Sequence, residues 1–235
     1  MAYQFESRVR YSEMDLNQKL TRVALVDYFQ DSSTFQSESC GGGLIPLRKL
    51  GKAWMILSWQ IEIRRRPELG EKIITSTWPH GFKAFYGYRN YAMHGESGEL
   101  LAQANSVWAF MDVETGHPAK LSDEVMGCYV MEEPLEMEKC SRKISIPKQQ
   151  ERMDEFQVCR YHLDTNQHVN NGQYIRMAEE YVPTGFEPSG LRVEYRNQAK
   201  LHDIIVPMVH NEENMIVVSL CDWQGVPYAI VEYKR

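Results

Sequence analysis

Apolar residues recur every three or four positions in two stretches of the chain, residues 22–33 and 172–181. That spacing places them on one face of a helix. Residues 55–64 instead alternate apolar and polar side chains at a period of two, and residues 191–195 repeat the same apolar face. These patterns predict one main helix and one half-buried strand in each half of the chain.

Six further strands are predicted from apolar and β-branched runs that Gly, Asn and Asp interrupt. They are Ile73–Trp78, Phe85–Met93, Leu100–Asp112, Ile204–Val209, Met215–Cys221 and Tyr228–Tyr233. One helix followed by several antiparallel strands, present twice, predicts an α+β architecture in which each sheet wraps its helix.

The order of these elements reflects a repeat within the sequence. Residues 10–20 align with residues 160–169 with one gap, and both segments contain Asp-x-Asn-Gln. Residues 61–73 align with residues 193–205 without a gap. Two matches in the same order indicate that one domain was duplicated. We therefore expect an N-terminal domain at 1–120, a linker at 121–155 and a C-terminal domain at 156–235.

Composition and charge narrow the class of protein. Of the 235 residues, 43% are hydrophobic and 25% charged, which is typical of a folded globular protein. The net charge of -6 gives no general attraction to nucleic acid or to an anionic membrane. No segment approaches the length of a membrane span, and the N-terminus lacks the apolar core of an export signal. The five scattered cysteines contain no Cys-x-x-Cys pair, which favours reduced thiols in the cytoplasm.

The segment 163–174 is rich in polar residues and leads directly into the second predicted helix. It places a carboxylate, Asp164, an amide, Asn166, and an imidazole, His168, within five residues. One interpretation is that Asp164 and Asn166, with Asn170, only form a turn and cap the helix. Against it, His168 occupies the position that Lys19 has in the N-terminal repeat.

The start of this helix offers a second kind of chemistry. Backbone N–H groups of Asn170, Asn171 and Gly172 could hold a developing oxyanion. Hydrolysis of a thioester needs a base or nucleophile, a polarising donor and a site for negative charge. The segment contains all three, so it is a plausible hydrolytic site.

Residues 164–171, followed by Tyr174 and Ile175, resemble the signature of the plant and bacterial acyl-acyl carrier protein (acyl-ACP) thioesterases. The resemblance continues through residues 108–118 and 193–196. It implies two tandem hot-dog domains paired as a pseudo-dimer within the chain, hydrolysis of acyl-ACP, and an acylated carrier protein as partner. It also assigns catalysis to the aspartate, asparagine and histidine of the motif, which are Asp164, Asn166 and His168 here.

One position departs from the family pattern. Where plant members have Glu-Cys after the Glu-Tyr-Arg strand, this chain has Gln198-Ala199, so a cysteine nucleophile is excluded there. The Gln198 amide could still orient a water molecule. In the N-terminal repeat Lys19 replaces the histidine, and we expect that repeat to shape the acyl pocket without catalysing the reaction.

The sequence also bears on the partner and on a possible metal site. An acidic carrier protein would favour a basic surface, for which Arg64, Arg65 and Arg66 are candidates, although a solvated strand end explains them equally well. No histidine pair has metal-ligand spacing, so neither a metal nor a cofactor is expected. The chain could act as a monomer or as a homodimer. An acyl-CoA thioesterase and a non-catalytic acyl-chain binding protein remain alternative functions.

Overall fold

The computed structural model describes residues 2–235, which form two compact units. The first unit contains the chain up to Leu57 and Ile63–Lys139. The second contains Ser58–Glu62 and Cys140–Arg235. Each unit combines one sheet with one main helix, which confirms the predicted α+β class.

The sheet of the first unit has the strand order β1-β3-β4-β5-β2. The strands are β1 (Tyr3–Arg8), β2 (Lys52–Ile63), β3 (Lys72–Lys83), β4 (Tyr86–Gly95) and β5 (Leu100–Asp112). The helices are α1 (Arg22–Cys40), α2 (Leu44–Lys49) and α3 (Asp123–Gly127). Helix α1 packs against the sheet, where the ring centroid of Phe29 lies 5.3 Å from that of Tyr91. Both side chains are fully buried, so the core of this unit lies between α1 and the strands.

The sheet of the second unit has the strand order β8-β11-β10-β9-β6, and residues 58–62 pair with β8. A further short strand, β7, also pairs with β9. The elements are β6 (Glu151–Arg152), β7 (Phe156–Gln157), β8 (Gly190–Tyr195), β9 (Ile204–Asn211), β10 (Met215–Cys221), β11 (Pro227–Lys234) and helix α4 (Asn171–Glu179). Helix α4 packs on β10 and β11, and the buried hydroxyl of Tyr233 donates to the carbonyl of Ile175 at 3.3 Å.

Both predicted helices and all six further strands are confirmed. The ends of β5 and β10 are as predicted, and those of the other elements are shifted. The largest difference is at α1, which continues to Cys40 instead of ending at Ser33. The later turns bury polar side chains, Ser32 and Gln36, which interrupt the apolar pattern. The Ser32 hydroxyl remains satisfied because it donates to the carbonyl of Phe29 at 2.8 Å. Strand β1 was not predicted.

Several residues of the predicted linker, 121–155, make specific contacts. In the first unit, Leu121 and Val125 join a buried apolar cluster, and the N–H of Leu135 donates to the side chain of Asn90 at 3.0 Å. In the second unit, the N–H of Ile144 donates to the buried carboxylate of Glu194 at 2.8 Å.

Candidate active site

The predicted catalytic segment forms a tight loop before α4. The N–H of Asp164 donates to the carbonyl of His168 at 2.8 Å, and Leu163 pairs with Val169. The Asp164 carboxylate accepts from the N–H of Asn166 at 2.8 Å and from that of His168 at 3.3 Å. The backbone amides of Asn166 and His168 thus surround the Asp164 carboxylate, which the Asn166 side chain also contacts at 3.4 Å.

The amides at the start of α4 are placed where the sequence predicts. However, the N–H of Gly172 donates to the Asn170 side chain at 2.8 Å, which makes Asn170 the helix cap. The N–H of Asn170 itself donates to the carbonyl of His162 at 2.8 Å. Asn171 accepts a bond from the Tyr195 hydroxyl through its carbonyl, at 3.1 Å. Two of the three predicted oxyanion donors are therefore bonded within the protein.

The N-terminal repeat builds the same loop. The Asp15 carboxylate accepts from the N–H of Asn17 at 2.8 Å and from that of Lys19 at 3.1 Å. Both loops also contain a glutamine with left-handed backbone, Gln18 at φ 59° and Gln167 at φ 62°. The two segments are therefore structural equivalents, as the duplicated sequence predicts.

The loops differ in what stands beside the aspartate. Each loop contacts the segment that follows a strand, β2 in one copy and β8 in the other. The N–H of Leu20 donates to the carbonyl of Pro67, and the N–H of Val169 donates to the carbonyl of Ala199. The residues that precede Pro67 and Ala199 are therefore equivalent. They are Arg66 in the N-terminal copy and Gln198 in the C-terminal copy. Arg66 is buried and its guanidinium forms an ion pair with Asp15.

This ion pair fixes the protonation state of the N-terminal aspartate. Burial alone would raise the pKa of Asp15, but hydrogen bonds from Arg66 and from backbone amides outweigh it and leave that pKa below its ordinary value. A carboxylate held in this way by a cation is a weak base. The equivalent position in the C-terminal copy is Gln198, whose amide is neutral and whose side chain is exposed.

The importance of Arg66 was missed at the level of sequence. The gap-free alignment of 61–73 with 193–205 does place Arg66 opposite Gln198, so the signal was present. Its connection to Asp15, 51 residues away, was not visible.

His168 contributes a half-buried imidazole to the loop. Its backbone pairs with Lys200, which holds the segment after β8 beside it. Within residues 2–235 the ring of His168 makes no hydrogen bond, so both nitrogens are available to a ligand. His162, by contrast, is structural: its Nδ1 accepts from the N–H of Cys159 at 2.9 Å, and burial lowers its pKa, which keeps the ring neutral.

The three arginines predicted to dock a carrier protein occupy different environments. Arg64 is exposed. Arg65 is held by two carboxylates, Glu71 at 2.7 Å and Glu99 at 2.9 Å. Arg66 is only 6% exposed and is bonded to Asp15, so its charge is not accessible to a partner. Of the three, Arg64 alone presents a charge that no acidic neighbour within residues 2–235 offsets.

The first unit also contains an apolar cavity of about 530 Å³. Phe82 and Phe85 line it from the β3–β4 hairpin, and Leu121 and Met126 line it from the segment around α3. A cavity of this size and character can accommodate an aliphatic chain.

Residues 2–235 contain no group of three or more His, Cys, Asp or Glu side chains placed to hold a metal ion. In that same part of the chain no helix has the length and apolar character needed to cross a membrane.

Two family models match the chain in the order of its repeats. The acyl-ACP thioesterase N-terminal domain matches residues 1–129, and the acyl-ACP thioesterase C-terminal domain matches residues 145–224. The loop with Asp164 therefore lies in the part that matches the C-terminal domain.

Curated plant proteins are similar over much of the chain. An acyl-[acyl-carrier-protein] hydrolase of Cuphea viscosissima, named as chloroplastic, is 27% identical over 84% of this chain and 52% of its own length. An oleoyl-acyl carrier protein thioesterase of Coriandrum sativum, also named as chloroplastic, is 25% identical over 100% of this chain and 70% of its own length. The chain thus spans about half the length of the Cuphea relative.

Solved structures show the same fold. An acyl-ACP thioesterase from Bacteroides thetaiotaomicron superposes with a TM-score of 0.91 at 21% identity, over 99% of this chain and 97% of that one. The 12:0-ACP thioesterase from Umbellularia californica superposes with a TM-score of 0.85 at 19% identity, over 99% and 96%. These likenesses confirm the predicted tandem hot-dog fold.

Proposed function

The chain belongs to the acyl-ACP thioesterase family, and on that premise we propose that it hydrolyses the thioester bond of acyl-ACP. The products are a free fatty acid and the carrier protein with its free phosphopantetheine thiol. The reaction therefore ends elongation of the acyl group. No cofactor or metal takes part in the proposed reaction.

The difference between the surroundings of Asp164 and those of Asp15 is the observation that supports placing the active site at Asp164. The two aspartates lie in equivalent loops, but a buried arginine pairs only with Asp15. Of the two loops, only the C-terminal one therefore combines a histidine with an aspartate that is not paired with a buried arginine. We assign one active site to each chain, at Asp164.

In the proposed mechanism the Asp164 carboxylate takes a proton from a water molecule, whose oxygen attacks the thioester carbonyl. The carbon–sulfur bond then breaks, and the pantetheine sulfur leaves with a proton. Direct attack by the carboxylate, followed by hydrolysis of the resulting anhydride, gives the same products. Asn166 and His168 orient and polarise the reacting groups in either case, and Gln198 orients the water.

Substrate binding is proposed to divide between an apolar and a basic part of the first unit. The cavity beside Phe82 and Met126 is apolar and has room for an aliphatic chain, which supports a role in acyl binding. Arg64 is exposed and could attract the acidic carrier protein. Arg48 and Lys49, at the end of α2, are also exposed basic residues of this unit.

The proposed place of action is the cytoplasm. The chain is proposed to work as a monomer or as a homodimer, and the molar mass in solution, measured by light scattering, distinguishes these states.

The test is to measure kcat/KM of the purified chain on a panel of acyl-ACPs and on the matching acyl-CoAs. The proposal predicts turnover of acyl-ACP with a higher kcat/KM than for the same acyl group on CoA, because only the protein carrier can use a docking surface. A preference for CoA would instead identify an acyl-CoA thioesterase. Tight binding of acyl-ACP without release of fatty acid would contradict the proposed hydrolysis and indicate an acyl-chain binding protein.

A further inference from the structure

Two of the five cysteines meet in the first unit although they lie 88 residues apart. Cys40 is the last residue of α1, and Cys128 directly follows α3. Their Sγ atoms are 3.2 Å apart, and both residues are partly buried. A covalent disulfide has a sulfur–sulfur distance of about 2.05 Å, so a movement of roughly 1 Å separates this contact from a bond.

The surroundings hold the two cysteines in this position. The hydroxyl of Tyr129, the residue after Cys128, lies 3.0 Å from the Ser37 hydroxyl of α1 and from the carbonyl of Gly42. Gly42 is close-packed against the same residues: a Cβ atom there would lie 2.8 Å from the Cys128 sulfur. The end of α1 and the end of α3 are thus fixed against each other by contacts on both sides of the sulfur pair.

We propose that Cys40 and Cys128 form a reversible intramolecular disulfide that joins the ends of α1 and α3. Two of the other three cysteines provide an internal comparison. Cys159 is exposed and Cys221 is buried, and the thiol of each contacts a backbone carbonyl, that of Gln157 and that of Ser219. The proposal is independent of the thioesterase activity.

The reaction requires an oxidant, for which a low-molecular-weight disulfide such as oxidised glutathione is sufficient. One cysteine, as thiolate, attacks the glutathione disulfide to give a mixed disulfide and one glutathione thiolate. The second cysteine then displaces the second glutathione. The two protons lost by the cysteines are gained by the two glutathione thiolates, so the protein is oxidised by two electrons and glutathione is reduced by two.

Formation of the bond should be slow near neutral pH. Burial, together with the neighbouring Cys40 thiol, raises the pKa of Cys128 to about 12, so little of its reactive thiolate is present. Once formed, the bond closes a long loop and restricts the unfolded chain, which stabilises the folded state. It also restrains α3, whose Met126 lines the apolar cavity.

The test uses the full chain equilibrated with reduced or with oxidised glutathione, followed by thiol counting after denaturation and by peptide mass spectrometry. We expect the number of thiols to fall from five to three, with one linked peptide pair that contains Cys40 and Cys128. The melting temperature of the oxidised form should be higher by about 10 °C. Dithiothreitol should reverse both changes.

Variants distinguish this bond from general oxidation. Cys159→Ser should retain the linked pair, whereas Cys40→Ser and Cys128→Ser should lose both the linked peptides and the redox-dependent rise in melting temperature. Five remaining thiols in the oxidised wild type, or peptides linked through Cys159 or between two chains, would overturn the proposal. Loss of the linked pair in Cys159→Ser would overturn it as well.

Discussion

At the scale of single residues, the two loops are distinguished by the side chain opposite the aspartate. Arg66 pairs with Asp15 from a buried position, and Gln198 occupies the equivalent position in the segment that contacts the Asp164 loop. An arginine there holds the carboxylate in its charged form and occupies its lone pairs. A glutamine leaves the carboxylate free to act on a substrate or a water molecule.

This difference predicts the effect of exchanging one residue. In Gln198→Arg the new guanidinium should pair with Asp164 as Arg66 pairs with Asp15, because the backbone of the two loops is equivalent. We expect kcat to fall by about 10²-fold or more, the range of a lost general base. Gln198→Ala, which adds no charge, should lose much less activity. Both variants are compared by single-turnover release of fatty acid and by circular dichroism.

Near-wild-type activity in a folded Gln198→Arg variant would show that this position does not face Asp164. Equal losses in Gln198→Arg and Gln198→Ala would indicate that the amide itself, rather than the absence of a cation, is what the site requires.

The sequence predicts the residues of this site better than their partners. Asp164, Asn166 and His168 lie within five positions, so a local motif is enough to group them. Arg66 follows two other arginines, and nothing in the sequence shows that it is the one that pairs with Asp15. Their different environments depend on Asp15, Glu71 and Glu99, of which Asp15 and Glu99 are distant along the chain.

At the scale of elements, the three glycines after α1 explain how that helix meets α3. Gly41 has a left-handed backbone at φ 86° and ends the helix. Gly42 lacks the side chain that would strike Tyr129, whose hydroxyl would lie 2.6 Å from an added Cβ atom. No pattern in the sequence predicts a role for this glycine run. Its packing role depends on Cys128 and Tyr129, far along the chain.

Gly42→Ala should therefore destabilise the first unit. The added methyl group would meet both Cys128 and Tyr129 below contact distance, and overpacking of this kind costs about 1–3 kcal/mol. Gly127→Ala is a matched control, because no atom lies within 4 Å of a Cβ atom there. Urea denaturation measures both changes. An equal effect of the two substitutions would contradict the packing argument.

The extent of α1 shows a limit of hydrophobic periodicity. The helix continues to Cys40 through turns in which serine and threonine hydroxyls donate to backbone carbonyls of the preceding turn, as Ser33 and Thr34 both do to Gln30. Such turns are helical but show little apolar periodicity, so the pattern stops near Ser33. In α4 the apolar face extends over most of the helix, and its ends were predicted within two residues.

At the scale of the whole molecule, the repeat in the sequence corresponds to two units with equivalent loops. Each unit keeps the same loop, the same carboxylate and the same backbone hydrogen bonds. Only the C-terminal copy combines the carboxylate with a histidine and with a neutral neighbour. The two repeats could be predicted from the sequence. The contacts of residues 121–155 could not, because they involve Asn90 and Glu194, which lie elsewhere in the chain.

Single-turnover hydrolysis of acyl-ACP by the wild type and by Asp164→Asn tests whether each chain has one active site, at Asp164. The asparagine keeps an oxygen that can accept from the N–H of Asn166, so the loop should remain folded. Asn166→Ala and Asn17→Ala form a matched pair, since both side chains are exposed in equivalent loops.

We expect Asp164→Asn to lose hydrolysis by about 10²-fold or more, Asn166→Ala to be impaired, and Asn17→Ala to be close to wild type. Unchanged hydrolysis by folded Asp164→Asn, or equal losses in Asn17→Ala and Asn166→Ala, would contradict a single active site at Asp164.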